Sequence, residues 1–166
     1  MEIESSNLGY LLNYKRINIC GCPASGKSTL SNKISSLIQI PVYDLDDLLY
    51  NENCRRKNIY DTSKSISEIL KMESFIIDGT YLTSFEERMN ELDLVVLIES
   101  RSITCFLRFI WRLIIAKRLK CGERLTWKTF VLIISFNFIT RKKIIEISKK
   151  YRKKIIFYKN NSLKIM

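Results

Sequence analysis

The sequence predicts an α/β domain with three layers, a five-stranded parallel sheet flanked by helices on both faces. Three observations carry that expectation. Apolar runs of the buried-strand type alternate with amphipathic segments along the chain, the pattern of a parallel sheet whose crossovers are helical. The first run, Arg16–Cys20, opens directly into Gly21-Cys22-Pro23-Ala24-Ser25-Gly26-Lys27-Ser28, and a helical segment leaves that loop. Another run, Phe75-Ile76-Ile77, ends in Asp78, an acid at the C-terminal edge of a predicted strand, where ligands of such sheets gather.

Each element follows from local pattern. Residues 1–14 read as a short helical or irregular lead-in. After the strand Arg16–Cys20 and the glycine-spaced loop, Ser28–Ile38 carries apolar residues at helical spacing. Ile40-Pro41-Val42-Tyr43 reads as a short edge strand with proline at its mouth. Asp44-Leu45-Asp46-Asp47-Leu48-Leu49 begins a helix with carboxylates at its favourable end. Residues 51–61 are polar and loop-like, and Ser63–Met72 is an amphipathic helix through Ile66, Ile69 and Leu70. Ser74–Gly79 is a buried strand, Ser84–Leu92 a short helix with an acidic first turn, and Leu94–Ile98 a further buried strand. A long helix is predicted over Ser102–Lys120, a turn at Cys121–Arg124, a second helical stretch from Trp127 to about Lys150, and a last strand at Lys154–Tyr158. The aromatic residues Trp111, Trp127, Phe130, Phe136 and Phe138 fall at helical spacings and read as core.

Composition narrows the class. The chain has 166 residues, 46% hydrophobic and 27% charged, ordinary values for one globular domain. No uncharged apolar run is long enough to span a bilayer, and the acidic start Met1–Ser6 is unlike a signal peptide, so a cytoplasmic protein is expected. Five cysteines with no C-x-x-C spacing read as reduced thiols. Histidine is absent, so any proton transfer falls to a carboxylate. Charge is uneven: from Arg101 onward there are 18 Lys/Arg against Glu123 and Glu146. That excess points to an anionic partner, whether nucleotide phosphates, a nucleic acid or an acidic membrane surface.

The loop at 21–28 fits G-x-x-x-x-G-K-[ST] without a mismatch. Glycines let the backbone wrap an anion, and successive amides with the following helix N-terminus point at phosphate oxygens. The lysine adds a charge, and the serine hydroxyl suits Mg²⁺. Gly21, Cys22, Pro23, Ala24, Ser25, Gly26, Lys27, Ser28 and Thr29 are therefore the candidate ATP-binding residues. Asp78 is a candidate Mg²⁺-linked acid beside Ser28, the alternative being a turn-capping acid. Asp44, Asp46 and Asp47 follow a strand that ends near the phosphates; Asp46 is the candidate to deprotonate an acceptor hydroxyl, with Asp44 beside it, the alternative being helix capping. Arg108 and Arg112 share a helical face with Arg101 and could neutralise charge in a moving phosphoryl group. Arg118 and Arg124 flank a glycine turn that could close over ATP, and a solvated stripe is the plain alternative for any one of these arginines.

The chain also resembles the adenylate-kinase-like P-loop kinases, and among them the bacterial DNA topology modulation proteins. The shared residues are Gly-x-Pro-x-Ser-Gly-Lys-Ser-Thr at 21–29, Ile40–Tyr43 followed by Leu45-Asp46, Phe75–Tyr81, Arg88, Arg101-x₃-Cys105-x₂-Arg108-x₃-Arg112 and Gly122-x-Arg124. The resemblance covers residues 15–160 and implies a P-loop NTPase fold, with a single domain over 1–166. An acceptor-side segment would lie at about 44–73 and a lid-like segment at about 112–127. It further implies ATP and Mg²⁺ binding, Asp78 on the metal side, Asp46 on the acceptor side, and Arg88 with the later arginines on phosphates. The family's Cys/Glu segment after Arg124 is replaced here by the apolar Phe130–Ile139, and a closing helix expected beyond Asn161 does not follow. Two activities remain open at this point. One is transfer of the ATP γ-phosphoryl group to a small nucleotide or hydroxylated metabolite. The other is a nucleotide-dependent DNA- or RNA-binding regulator with little turnover, with membrane-surface binding around 103–120 as a third, minor reading.

Overall fold

The structure, a computed structural model, describes residues 2–51, 53, 55–116, 127–159 and 162–165. Its strands are β1 (Glu2–Glu4), β2 (Arg16–Gly21), β3 (Val42–Asp44), β4 (Phe75–Asp78), β5 (Leu94–Ile98), β6 (Lys154–Lys159) and β7 (Ser162–Ile165). They form one sheet in the order β1-β7-β6-β5-β2-β4-β3. The five strands from β6 to β3 are all parallel, the core that the apolar runs predict. Two strands go beyond the expectation: β7 turns back antiparallel along β6, and β1 pairs antiparallel with β7. Both are short and interrupted by polar residues, so they carry no apolar run of their own. The open edge of β6 recruits them.

The helices are α1 (Lys27–Ile38), α2 (Leu45–Leu49), α3 (Ile59–Leu70), α4 (Phe85–Met89), α5 (Ser102–Trp111), α6 (Trp127–Ser135) and α7 (Arg141–Lys150). Residues Ser5–Asn13 form a 3₁₀ helix, the helical alternative for the lead-in. Helix α3 starts four residues before its predicted start because the Asn58 side chain accepts from Tyr60 N at 3.2 Å and caps it. The long predicted helices are interrupted. A π turn at Arg112–Ala116 ends the described part of the first, and another at Phe136–Thr140 separates α6 from α7.

Alternation along the central strands divides the core between the two faces of the sheet. Ile17, Ile19, Ile76, Val96 and Ile156 meet Leu30 and Ile34 of α1 together with Leu11. Cys20, Ile77, Val95, Leu97 and Ile155 meet the other layer, through Ile66, Phe85, Cys105, Phe109, Ile133, Phe136 and Ile144. Strand β5 is buried at every residue, as a central parallel strand covered on both faces must be. The aromatic expectation needs correction. Phe136 is buried, but Trp111, Trp127 and Phe138 stand exposed on the outer side of α5 and α6 and the turn beyond α6. Helical spacing marks a shared face and does not say whether that face looks inward.

Candidate active site

The glycine-spaced loop sits between β2 and α1, at the C-terminal edge of the central strand. Gly21 has no room for a side chain, since a Cβ there would meet Ser25 Oγ at 2.7 Å and Ile98 Cβ at 3.1 Å. The loop is closed by a backbone bond from Ser25 N to Cys22 O at 3.1 Å. Gly26 then takes a left-handed conformation as the N-cap of α1. The first amides of a helix have no acceptor within it, so those of α1 face the loop. Lys27 folds back across it, its ammonium donating to the Cys22 carbonyl at 3.1 Å. Thr80 fastens the loop to the neighbouring strand: its hydroxyl accepts from Gly21 N at 2.9 Å and donates to Gly21 O at 3.0 Å. The Ser25 hydroxyl is buried and has no hydrogen-bond partner among the described residues.

The sheet brings the acids to this loop. Asp78 ends β4 opposite Ile19 of β2 and Asp44 of β3, so the two carboxylates stand at adjoining strand ends. The Asp44 side chain accepts from Asp46 N at 2.9 Å and caps α2, which turns Asp46 toward the loop. A polar cavity of about 40 Å³ results, walled by Lys27, Ser28, Asp44, Asp46, Asp78 and Arg112. It has room for about one water or a small cation.

Two larger cavities share walls with it. One of about 320 Å³ also reaches Lys27, Asp46 and Gly79, and its walls combine Leu45, Leu49, Tyr81, Leu82, Leu132 and Phe136 with Thr80, Thr129 and Thr140. The other, of about 530 Å³, lies across Ala24, Gly26 and Thr29 and is bounded by Lys33, Arg108, Trp111, Arg112 and Tyr158. Lys27 thus borders the cavities of about 40 and 320 Å³, and Arg112 those of about 40 and 530 Å³.

Most of the predicted residues meet here. Gly21, Pro23, Ala24, Ser25, Gly26, Lys27, Ser28, Thr29, Asp44, Asp46, Asp78, Arg108 and Arg112 all line one of the three cavities. Cys22 belongs to the loop, but its side chain points into the core, where the thiol donates to Ile133 O at 3.7 Å. The adjoining Cys105, and then burial, push the Cys22 thiol far up, and burial pushes the Cys20 thiol up to about 12. Arg118 and Arg124 lie outside the described residues.

Arg88 is the correction. It was expected on a phosphate, yet it is fully buried, and its guanidinium donates to Asn18 Oδ1 at 2.9 Å, Tyr81 O at 2.8 Å and Ser84 O at 3.2 Å. Burial lowers its pKa to about 10, still above neutrality, so the group stays cationic. A guanidinium consumed by three protein acceptors inside the core is a structural bolt.

Thr80, Asn18 and Tyr158 have no role that the sequence pattern predicts. Thr80 lies within the shared Phe75–Tyr81 motif, the one signal that could have singled it out.

The hard oxygen donors Ser28 and Asp78, with Asp44 beside them, suit Mg²⁺, and the cradle closed over Gly21 suits a polyphosphate. Among the described residues no three His, Cys, Asp or Glu side chains cluster closely enough to hold a metal ion by themselves. Mg²⁺ normally keeps waters and substrate phosphates as ligands, so a partial protein set matches its habit.

No family model matches the chain. Over 33 residues it is 48% identical to a shikimate kinase of Chlamydia pneumoniae, a stretch covering 20% of this chain and 19% of that protein. The chain therefore matches about a fifth of the length of that curated relative. Solved structures agree over far more. A shikimate kinase from Bacteroides thetaiotaomicron superposes with a TM-score of 0.58 at 16% identity, covering 89% of this chain and 87% of that one. A shikimate kinase from Acinetobacter baumannii in complex with shikimate gives a TM-score of 0.57 at 11% identity, covering 84% and 83%. A gluconokinase from Sinorhizobium meliloti gives 0.50 at 13% identity, covering 83% and 91%. The fold is that of these P-loop kinases, an adenylate-kinase-like α/β architecture.

Proposed function

We propose that the protein is a Mg²⁺-ATP-dependent phosphotransferase acting on a small hydroxylated acceptor. The observation that carries this reading is the polar cavity of about 40 Å³ at Lys27, Ser28, Asp46 and Asp78, which shares walls with a larger cavity on either side. Phosphoryl transfer needs that arrangement: donor and acceptor enter from opposite sides, and charge is managed where they meet.

In this reading the nucleoside of ATP occupies the cavity between α1 and α5, with Trp111, Arg108 and Tyr158 around the base and ribose. The amides of residues 24–29 and the Lys27 ammonium hold the phosphates. Ser28 and Asp78 hold Mg²⁺, which when bound neutralises charge on the phosphate oxygens. Arg112 adds a second positive charge from the opposite wall. Asp46 accepts the acceptor's hydroxyl proton as that oxygen bonds to the γ-phosphorus, while the bond to the bridging oxygen of ADP breaks. The acceptor cavity is framed by Leu45, Leu49, Leu82, Leu132 and Phe136. These walls favour a molecule with an apolar face beside its hydroxyl, and the shikimate and gluconate kinases of like fold keep sugar acids and cyclic alcohols worth testing.

The deciding experiment is a screen of nucleotide, sugar and cyclic-alcohol pools for ATP- and Mg²⁺-dependent phosphorylation, with Lys27→Ala as control. Turnover is expected with the parent protein. The variant is expected to lose nucleotide affinity by about tenfold to a hundredfold, the worth of a charge-assisted bond, while keeping its far-UV circular dichroism. A blank screen together with salt-sensitive retention of DNA would overturn the kinase in favour of the nucleic-acid regulator of topology-modulation type.

A further inference from the structure

Helices α5 and α6 form an antiparallel pair. Phe106 meets Phe130 edge-on at 5.5 Å, and Asn137 Nδ2 donates to Ser100 O and Ser102 Oγ, each at 3.1 Å. Each helix has its buried residues on one side, Cys105 and Phe109 on α5, Ile133 and then Phe136 along α6 and its π turn. On the opposite side each carries a second apolar stripe. Along α5 and its π turn, Ile103, Leu107, Trp111 and Ile114 are 55–66% exposed. Along α6 and its π turn the stripe is Trp127, Val131, Ile134 and Phe138, exposed by 76%, 43%, 46% and 71%. The spacings of three and four residues put each set on one helical face. Because the two helices pack side by side on the same core, both stripes look outward from one layer. An apolar surface of this extent marks a contact with something other than water.

The geometry points to an anionic lipid bilayer as the partner of this surface, with the α5–α6 layer lying along the headgroup region. Three features select that occupant. The chain has two tryptophans, Trp111 and Trp127, and both stand on these stripes. Indole is the side chain that favours the boundary between hydrocarbon and headgroups. Next, the apolar stripes end beside positive charge: Arg101 stands at the N-terminal boundary of α5 two residues before Ile103, and the exposed Lys142 and Lys143 follow Phe138 by about one turn. Finally, these flanking groups belong to a stretch of sequence that holds, from Arg101 onward, 18 Lys/Arg and two acids, Glu123 and Glu146. Two copies of this chain meeting here would set like charge against like, whereas an acidic membrane answers it. No helix among the described residues is long and apolar enough to cross a bilayer, so the contact is interfacial. Trp111 borders the nucleotide-side cavity as well.

The test uses the full chain carrying Trp111→Phe, in which Trp127 is the remaining tryptophan. The protein is mixed with vesicles of phosphatidylcholine alone, or of phosphatidylcholine with phosphatidylglycerol. Binding is expected only to the phosphatidylglycerol vesicles, with a blue shift of Trp127 emission and co-sedimentation, and about tenfold weaker at about 0.5 M salt. Leu107→Ser with Phe138→Ser is expected to abolish the shift while keeping the parent's unfolding midpoint, since both positions are exposed. Lys142→Glu with Lys143→Glu, which leaves the apolar stripes untouched, is expected to lose the preference for phosphatidylglycerol. Unchanged emission and no sedimentation with phosphatidylglycerol vesicles would overturn the proposal, as would equal binding to both vesicle types. A salt-tolerant dimer in sedimentation equilibrium, dissolved by the serine variants and indifferent to vesicles, would assign the surface to a second copy instead.

Discussion

Arg88 Nη1 lies 2.9 Å from Asn18 Oδ1 in the core beneath the phosphate loop, and the Asn18 amide in turn donates to Ile77 O at 3.2 Å and Gly79 O at 3.0 Å. The pair ties α4 to β2 and, through Asn18, to the end of β4 on either side of Asp78. A residue expected on substrate phosphate therefore acts one layer below, by holding the strand end that carries Asp78.

Replacing Arg88 by alanine would leave Asn18 Oδ1, Tyr81 O and Ser84 O buried with a lost donor. Removing one partner of a buried polar set exposes its desolvation cost, so a destabilisation of about 3 kcal/mol or more is expected. Urea unfolding measures it. A variant as stable as the parent but unable to bind phosphate would return Arg88 to the ligand.

Asp46 and Asp78 stand on the same cavity but are expected to fail differently. Asp46→Asn should lower kcat by about 10²- to 10⁴-fold with ATP affinity nearly unchanged, the ordinary scale for losing a general base. Asp78→Asn should instead weaken the Mg²⁺ dependence of nucleotide binding, read by titrating Mg²⁺ against nucleotide affinity. Indistinguishable effects on both readouts would show that the two acids do not divide the work.

Gly79 links Asp78 to the loop-fastening Thr80 at φ 149°, and a Cβ there would meet Leu45 Cβ at 2.7 Å. Both the backbone conformation and the space exclude a side chain, since Leu45 is itself buried in the core. Gly79→Ala should cost about 1–3 kcal/mol and displace α2, whose second residue is Asp46. Thermal unfolding and kcat are expected to fall together. A stable variant with normal kcat would show that β4 and α2 can part without consequence.

Cys20 supplies a pH signature. Its folded pKa is raised by burial from 9.0 to about 12, so between these values the folded state holds a proton that the unfolded state releases. Its contribution is present in full below about pH 9 and declines as pH rises toward 12. Thermal melts from neutral to alkaline pH should show a shallower decline in Cys20→Ala than in the parent. Parallel curves would mean that the thiol does not take part.

How far the sequence is legible depends on the range of the interactions involved. Leu94–Ile98 is readable because every one of its residues is apolar and a central strand is buried on both faces. The start of α3 is missed by four residues because its cap, Asn58, sits in a polar stretch that looks like loop. Strand β7 escapes notice because Ser162-Leu163-Lys164-Ile165 has no stabilising run and exists by pairing with β6. Arg88 misleads for a related reason, since an arginine in a short amphipathic helix looks solvated until its three acceptors arrive from separate segments.

The sequence by itself determined the phosphate loop, because that site is built from contiguous backbone whose shape follows from the spacing of Gly21, Gly26, Lys27 and Ser28. It also determined that the five core strands are parallel, since alternating apolar runs and helices allow little else. Tertiary structure decided which carboxylates reach the loop, by setting β4 between β2 and β3 so that Asp78 and Asp44 end side by side. It decided too that Arg88 turns inward and that the tryptophans of α5 and α6 turn outward. Helical periodicity defines a face but carries no information about the direction of the core, which exists only once the sheet order does.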